Sequence, residues 1–388
     1  MQKGQTKRQS DVLKNKYKLI QRGKMDLTFL TLLAIILTIG LIMLFSASYA
    51  YAYTYFGDSY KFIKKQFVLA CAGVVLMMIT SKIDYHQYRK FSWAIFALAI
   101  GLLVTLLILP PMISGVDYKR WFILGPINFQ PSEIAKFAIV LLFAHLISLN
   151  YKNMEKFSFG VLFLGGLLIV VCVLVVLEPH LSATLLIFAI GIVMMIVGGI
   201  KRRYVLMGAM SGVGIGAIAI LSGVVSYGSS RIQCWLNPWS DPSADGYQTI
   251  QSLLSIGSGG FLGRGLGQSR QKYLWVPEPH NDFIFAIVCE ELGYVGAMLI
   301  ILLFCLLVWR GFVIAMRAPD KFGSLLALGL TFQVGIQAAL NILVVSNTIP
   351  NTGISLPFFS YGGTSLMILL AEMGIVLSVS RCSTLQKP

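Results

Sequence analysis

Residues 27–47 read LTFLTLLAIILTIGLIMLFSA, an unbroken apolar run with no charged side chain. A helix needs roughly 20 such residues to cross the ~30 Å hydrocarbon core of a bilayer. The run is too long for the 7–15-residue apolar segment of a signal peptide. Ser48-Tyr49-Ala50 could pass for a cleavage site, but further apolar runs follow, so the segment is expected to be an uncleaved first span. Those runs lie at roughly 66–80, 91–110, 132–149, 158–177, 182–200, 204–226, 283–309, 323–345 and 361–380. The expected fold is an all-α integral membrane protein of about ten transmembrane helices.

Composition agrees. Of 388 residues, 56% are hydrophobic and 12% charged, against about 25% charged in soluble domains. Taken alone, the net charge of +15 points to nucleic acid, but no reading motif is present and the charges alternate between loops. The tail up to residue 26 and every second loop thereafter hold 21 of the 31 Lys and Arg, the positive-inside pattern. Both termini are therefore expected in the cytoplasm, with a basic tail at 1–25, the membrane domain at 26–380 and a short tail at 381–388. Lys61, Lys64 and Lys65 fall on the outer side and run against the pattern. The six cysteines form no C-x-x-C pair, so a disulfide framework or zinc site is not expected.

The connection at 227–281, between spans seven and eight, is far longer than usual. It is expected on the outer face. Trp235, Trp239, Tyr247, Tyr273 and Trp275 argue against disorder there. Its glycine-rich stretch, Gly257–Gly267, lacks the Gly-Lys-Ser/Thr ending of a P-loop. It reads as tightly turned backbone, with amides that could still cradle a pyrophosphate.

Several polar residues stand where an apolar run leads one to expect none. Lys136 lies inside the fourth span, with Glu133 three residues earlier on the same helix face. The pair is either an ion pair that fixes helix packing or part of a polar site. Glu178 ends the fifth span before Pro179-His180, either as a plain turn or as broken helix lining a wet cavity. Asn281 reads as an N-cap for the eighth span, placing Asp282 in its first turn, where the helix dipole favours the carboxylate.

Three blocks carry a resemblance. Residues 265–286 read GLGQSRQKYLWVPEPHNDFIFA, with EELG at 290–293; residues 350–365 read PNTGISLPFFSYGGTS; residues 130–136 read QPSEIAK. Together they closely resemble the SEDS family (shape, elongation, division, sporulation), over about residues 26 to 380. The wording of residues 265–272 is nearer the division and sporulation branch than the rod-shape branch. The resemblance implies a ten-span peptidoglycan glycosyltransferase of the bacterial cytoplasmic membrane. Such an enzyme polymerises lipid II at the outer face beside a class B penicillin-binding protein, with other division or sporulation membrane proteins as further partners. It carries the family's essential aspartate onto Asp282 and its polar pair onto Glu133 and Lys136. The chain departs from the family at His180, where an acid is common, and at Asn281 and Asn347.

Glycan polymerisation needs a base for the attacking hydroxyl and positive charge for the leaving pyrophosphate. Asp282 is the candidate catalytic base. Lys136, Arg120, Arg264 and Lys272 are candidate partners of the pyrophosphate, and Glu133, Glu278, His280 and Ser360 complete the candidate substrate-binding set. No metal ligands stand out, although a divalent cation (Mg or Mn) is a candidate cofactor. The rivals are a flippase for the lipid-linked precursor and a non-catalytic scaffold for a penicillin-binding protein.

Overall fold

The computed structural model describes residues 23–109, 120–124, 127–178, 180–201, 203, 204, 208, 234–242 and 246–382. Nine of the ten expected runs coincide with helices. The run at 204–226 lies largely outside the described residues, as do the tails at 1–22 and 383–388 and parts of the 227–281 loop.

The helices are α1 (Leu27–Phe56), α2 (Lys61–Lys82), the short α3 (Tyr85–Lys90) and α4 (Ser92–Ile108). A two-stranded antiparallel hairpin follows, β1 (Phe122–Leu124) with β2 (Ile127–Phe129). Next come α5 (Pro131–Leu149), α6 (Leu164–Leu177, entered through a π-helical stretch at Ser158–Phe163) and α7 (Leu181–Val197). The set closes with α8 (Tyr247–Gly259), α9 (Ile284–Met316), α10 (Lys321–Val345) and α11 (Thr364–Arg381). Seven of these segments are long and apolar enough to cross a membrane; α4 and α7 are shorter apolar helices. The chain is a multi-pass α-helical membrane protein.

Helix α5 sits at the centre. Its stretch Ala138–Ala144 is wholly buried, and it packs on α4, α7 and α10. Peripheral helices instead leave apolar side chains exposed, among them Val68, Val75 and Ile79 on α2 and Leu299 and Leu302 on α9, as lipid-facing surfaces require. At one end of the bundle Arg310 ties α9 to Asp26 at 2.8 Å. There the Asp26 carboxylate also caps α1, accepting from the Phe29 amide at 2.9 Å.

Helix α9 is interrupted at Gly293, whose φ of +67° and ψ of −169° are non-helical. The glycine-rich stretch fills the break. The amides of Arg264 and Gly265 donate to the carbonyls of Glu290 and Glu291, and those of Tyr294 and Val295 donate to Gly260 and Phe261. A Cβ on Gly293 would lie 2.2 Å from the Gly263 nitrogen, so the contact requires glycine. The amides of Gly263, Arg264 and Gly265, which the sequence leaves available to a phosphate, are committed to backbone carbonyls.

Candidate active site

At the end of the bundle opposite the Asp26–Arg310 pair, the β-hairpin, α5, α7 and the loops before α9 and α11 enclose a cavity of about 510 Å³. Each wall follows from local sequence. Pro131 opens α5 at its first position, where a missing N–H costs nothing. Glu133 and Lys136, one turn apart, then face inward. Their ion pair measures 2.8 Å, and the ammonium also donates to Gln337 Oε1 at 3.2 Å. Both side chains line the cavity and are nearly inaccessible, so each charge depends on its partner.

Gln337 belongs to a polar stripe on α10, Gln333, Gln337 and Asn341, spaced four residues apart and so on one face. The Gln333 amide donates to Glu372 of α11 at 2.9 Å. Gln337 donates to the Ser355 carbonyl at 3.1 Å. Asn341 donates to the carbonyls of Asp282 and Ile354 at 2.7 and 2.6 Å. The stripe thus fixes the 350–363 segment against the loop bearing Asp282. Ser360 reinforces this join: its hydroxyl donates to the Asn281 carbonyl and accepts from the Leu356 amide, both at 2.8 Å.

Asp282 stands just before α9, in the cavity wall with Glu278, Asn281 and Arg120. Burial pushes its carboxyl up to about 6; the Glu278 charge adds to the rise and the Arg120 guanidinium opposes it. Gly353, with φ of +69°, lies alongside, and a Cβ there would come within 3.3 Å of Asp282 Oδ2. His180 also lines the cavity, 3.5 Å from Ser132 Oγ and Gln130 Nε2. Burial, with the nearby charges of Arg120 and Lys136, lowers its pKa to about 3, so it is neutral at physiological pH. Adjacent Glu178 is fully buried, and neither carboxylate oxygen has a hydrogen-bond partner among the described residues; burial raises it to about 8.

Of the residues singled out from sequence, Asp282, Glu133, Lys136, Arg120 and Glu278 converge on this cavity. The others lie elsewhere. Ser360 is one residue behind the wall. His280 is buried beneath Phe62 and Tyr51, at ring distances of 4.3 and 5.0 Å. Lys272 is locked in a buried network with Glu291 at 3.0 Å, Ser46 Oγ at 3.1 Å and the Gly267 carbonyl at 2.7 Å. Arg264 approaches Glu290 at 3.7 Å, while Glu290 also accepts from the Ser269 hydroxyl and Arg270 amide. These contacts place Lys272 and Arg264 as anchors of the loop before α9, outside the cavity lining. Asn281 is not the N-cap: Phe283 precedes the helix, and the Asn281 amide instead donates to Glu278 Oε2 at 2.8 Å.

Among the described residues, no three His, Cys, Asp or Glu side chains gather as a metal-binding set. Magnesium, however, commonly takes one or two carboxylates together with substrate phosphates. Glu278, in the cavity wall, is a carboxylate that suits that role.

A family model described as cell cycle protein, FtsW/RodA/SpoVE, matches residues 26–385. Stage V sporulation protein E of Bacillus subtilis (strain 168) is 40% identical over 359 residues, 92% of this chain and 97% of that protein. A probable peptidoglycan glycosyltransferase FtsW of Geobacter sp. (strain M18) is 38% identical, covering 92% of this chain and 96% of its own length. Among solved structures, a chain from work on how a peptidoglycan synthase complex coordinates polymerization and crosslinking superposes with a TM-score of 0.77, at 27% identity over 92% of this chain and 98% of that one. The rod shape determining protein RodA of Thermus thermophilus superposes with a TM-score of 0.68, at 27% identity over 93% and 98% of the two chains. By sequence over nearly its whole length and by fold, the chain belongs to the FtsW/RodA/SpoVE family.

Proposed function

We propose that this protein is a peptidoglycan glycosyltransferase that polymerises lipid II at the outer face of the cytoplasmic membrane. The observation that carries the reading is Asp282, a carboxylate held near pH 6 in the wall of a cavity that also holds Arg120 and the Glu133–Lys136 pair. A general base works best when its pKa lies near the operating pH. Asp282 would take the proton of the attacking sugar hydroxyl as that oxygen bonds the anomeric carbon. The bond from that carbon to the lipid pyrophosphate breaks, and a single displacement inverts the centre. Arg120 and Lys136 supply positive charge for the departing pyrophosphate. A divalent cation held by Glu278 would neutralise further charge on the pyrophosphate.

The lysine-rich and arginine-rich loops cluster at the end opposite the cavity, which favours an outward-facing cavity under the positive-inside rule. Likeness to a chain of a peptidoglycan synthase complex supports a class B penicillin-binding protein as partner. Division and sporulation proteins of the membrane are further candidates.

The test is to reconstitute the chain with a penicillin-binding partner whose transpeptidase is blocked, supply lipid II and resolve the products on a gel. A glycan ladder supports the polymerase. Translocation of fluorescent lipid II across vesicles without a ladder would favour a flippase. Neither activity, with partner binding retained, would favour a scaffold.

A further inference from the structure

Helix α1, with 30 residues, is about 45 Å long at 1.5 Å per residue, well beyond a ~30 Å hydrocarbon core. Its last turns, Ser48–Phe56, read SYAYAYTYF. Tyr51 and Tyr55, one turn apart, continue a line of rings that begins at the cavity. Tyr361 lines the cavity and meets Phe62 edge-on at 4.9 Å. Phe62 lies 6.1 Å from Tyr51, and Tyr51 lies 4.5 Å from Tyr55, whose side of the helix is open (61% exposed). His280, buried beneath Phe62 and Tyr51, floors the line. Beside it stand the lysines that the charge rule leaves unexplained. Lys65 lines the cavity, Lys61 Nζ sits 3.2 Å over the Phe56 ring, and Lys64 pairs with Asp58 at 3.0 Å.

We propose that Tyr361, Phe62, Tyr51 and Tyr55 form an exit track for the growing glycan strand, with Lys61, Lys64 and Lys65 matching the acidic groups on it. The proposal rests on the polymerase reading. The C–H face of a pyranose is weakly positive and the face of an aromatic ring negative, so sugars stack on rings with little demand on register. Stacking platforms beside basic side chains hold single-stranded nucleic acids in the same sequence-tolerant way. A track of this kind lets a strand slide while delaying its release, so it governs product length rather than the chemical step.

The test uses the full chain with its cross-linking partner blocked and lipid II as substrate. Strand length and initial rate of lipid II consumption are compared for wild type, Tyr55→Ala and Tyr55→Phe. Tyr55→Ala is expected to keep the initial rate but release strands about fivefold sooner, the effect of losing one modest stacking contact, and so give shorter products. Tyr55→Phe keeps the ring and the wild-type length. Unchanged length in Tyr55→Ala, with lowered thermal stability in bilayers, would make Tyr55 an interfacial anchor and overturn the track alone. No polymer from wild type would overturn the polymerase reading and the track with it.

Discussion

The side-chain amide of Asn341 donates at once to the backbone carbonyl of Asp282, at 2.7 Å, and to that of Ile354, at 2.6 Å. One side chain, rooted in α10, thereby joins the loop that carries Asp282 to the Gly353–Ile354 segment beside its carboxylate. In Asn341→Ala both carbonyls lose a buried partner, at about 1–3 kcal/mol for each group left unsatisfied. Thermal unfolding should show that loss. Polymerisation should fall further, by about 10- to 100-fold, because small misplacement of a catalytic group is costly. Wild-type activity in a folded Asn341→Ala variant would contradict this role.

The electrostatics of Asp282 set a pH dependence. Its base form exists above about pH 6, so the rate should fall as pH drops through that value. Glu278 raises this pKa and Arg120 lowers it. Glu278→Gln should therefore move the acid limb to lower pH, and Arg120→Gln should move it higher. Rate profiles between pH 4.5 and 8 check both signs.

Glu133 and Lys136 share a buried ion pair. Lys136→Ala strands the Glu133 carboxylate and should cost about 3–5 kcal/mol of stability. Combining Glu133→Gln with Lys136→Met removes both charges and should recover most of that stability. Activity should stay low, because the pyrophosphate loses a cation. Recovery of activity along with stability would reduce the pair to a packing element.

Glu178 makes a pH-dependent stability claim. Its folded pKa, near 8, lies above that of an unfolded glutamate, so the folded state binds its proton more tightly. Relative to acid pH, stability falls as pH rises from about 4.5, where the unfolded chain ionises, to about 8. Glu178→Gln cannot ionise and should flatten that decline. Unfolding temperatures of the two proteins should therefore diverge in favour of the variant between pH 5 and 8.

Hydropathy made the spans legible because a bilayer demands long, continuous apolar runs. Glu133 and Lys136 stood out because charge within such a run is rare. The amide stripe of Gln333, Gln337 and Asn341 does not stand out in the same way, although its four-residue spacing is present in the sequence. Uncharged amides do not interrupt a hydropathy profile. Lys272 and Arg264 looked like pyrophosphate ligands because charge alone cannot reveal that Glu291 and Glu290 lie beside them after folding. The misplaced cap at Asn281 has a similar origin: the side chain turns back to Glu278, a choice fixed by the loop rather than the helix. The place of Asp282 came from motif resemblance; its proximity to Arg120 emerges only when the hairpin folds over the cavity.

The most direct measurement is lipid II polymerisation by wild type and Asp282→Asn, each bound to the same transpeptidase-blocked partner, at pH 7.5. The substitution keeps the size of the side chain and removes its basicity. A glycan ladder from wild type that disappears in Asp282→Asn, with folding and partner binding unchanged, is the predicted result. An undiminished ladder from Asp282→Asn would contradict the assignment of Asp282 as the base.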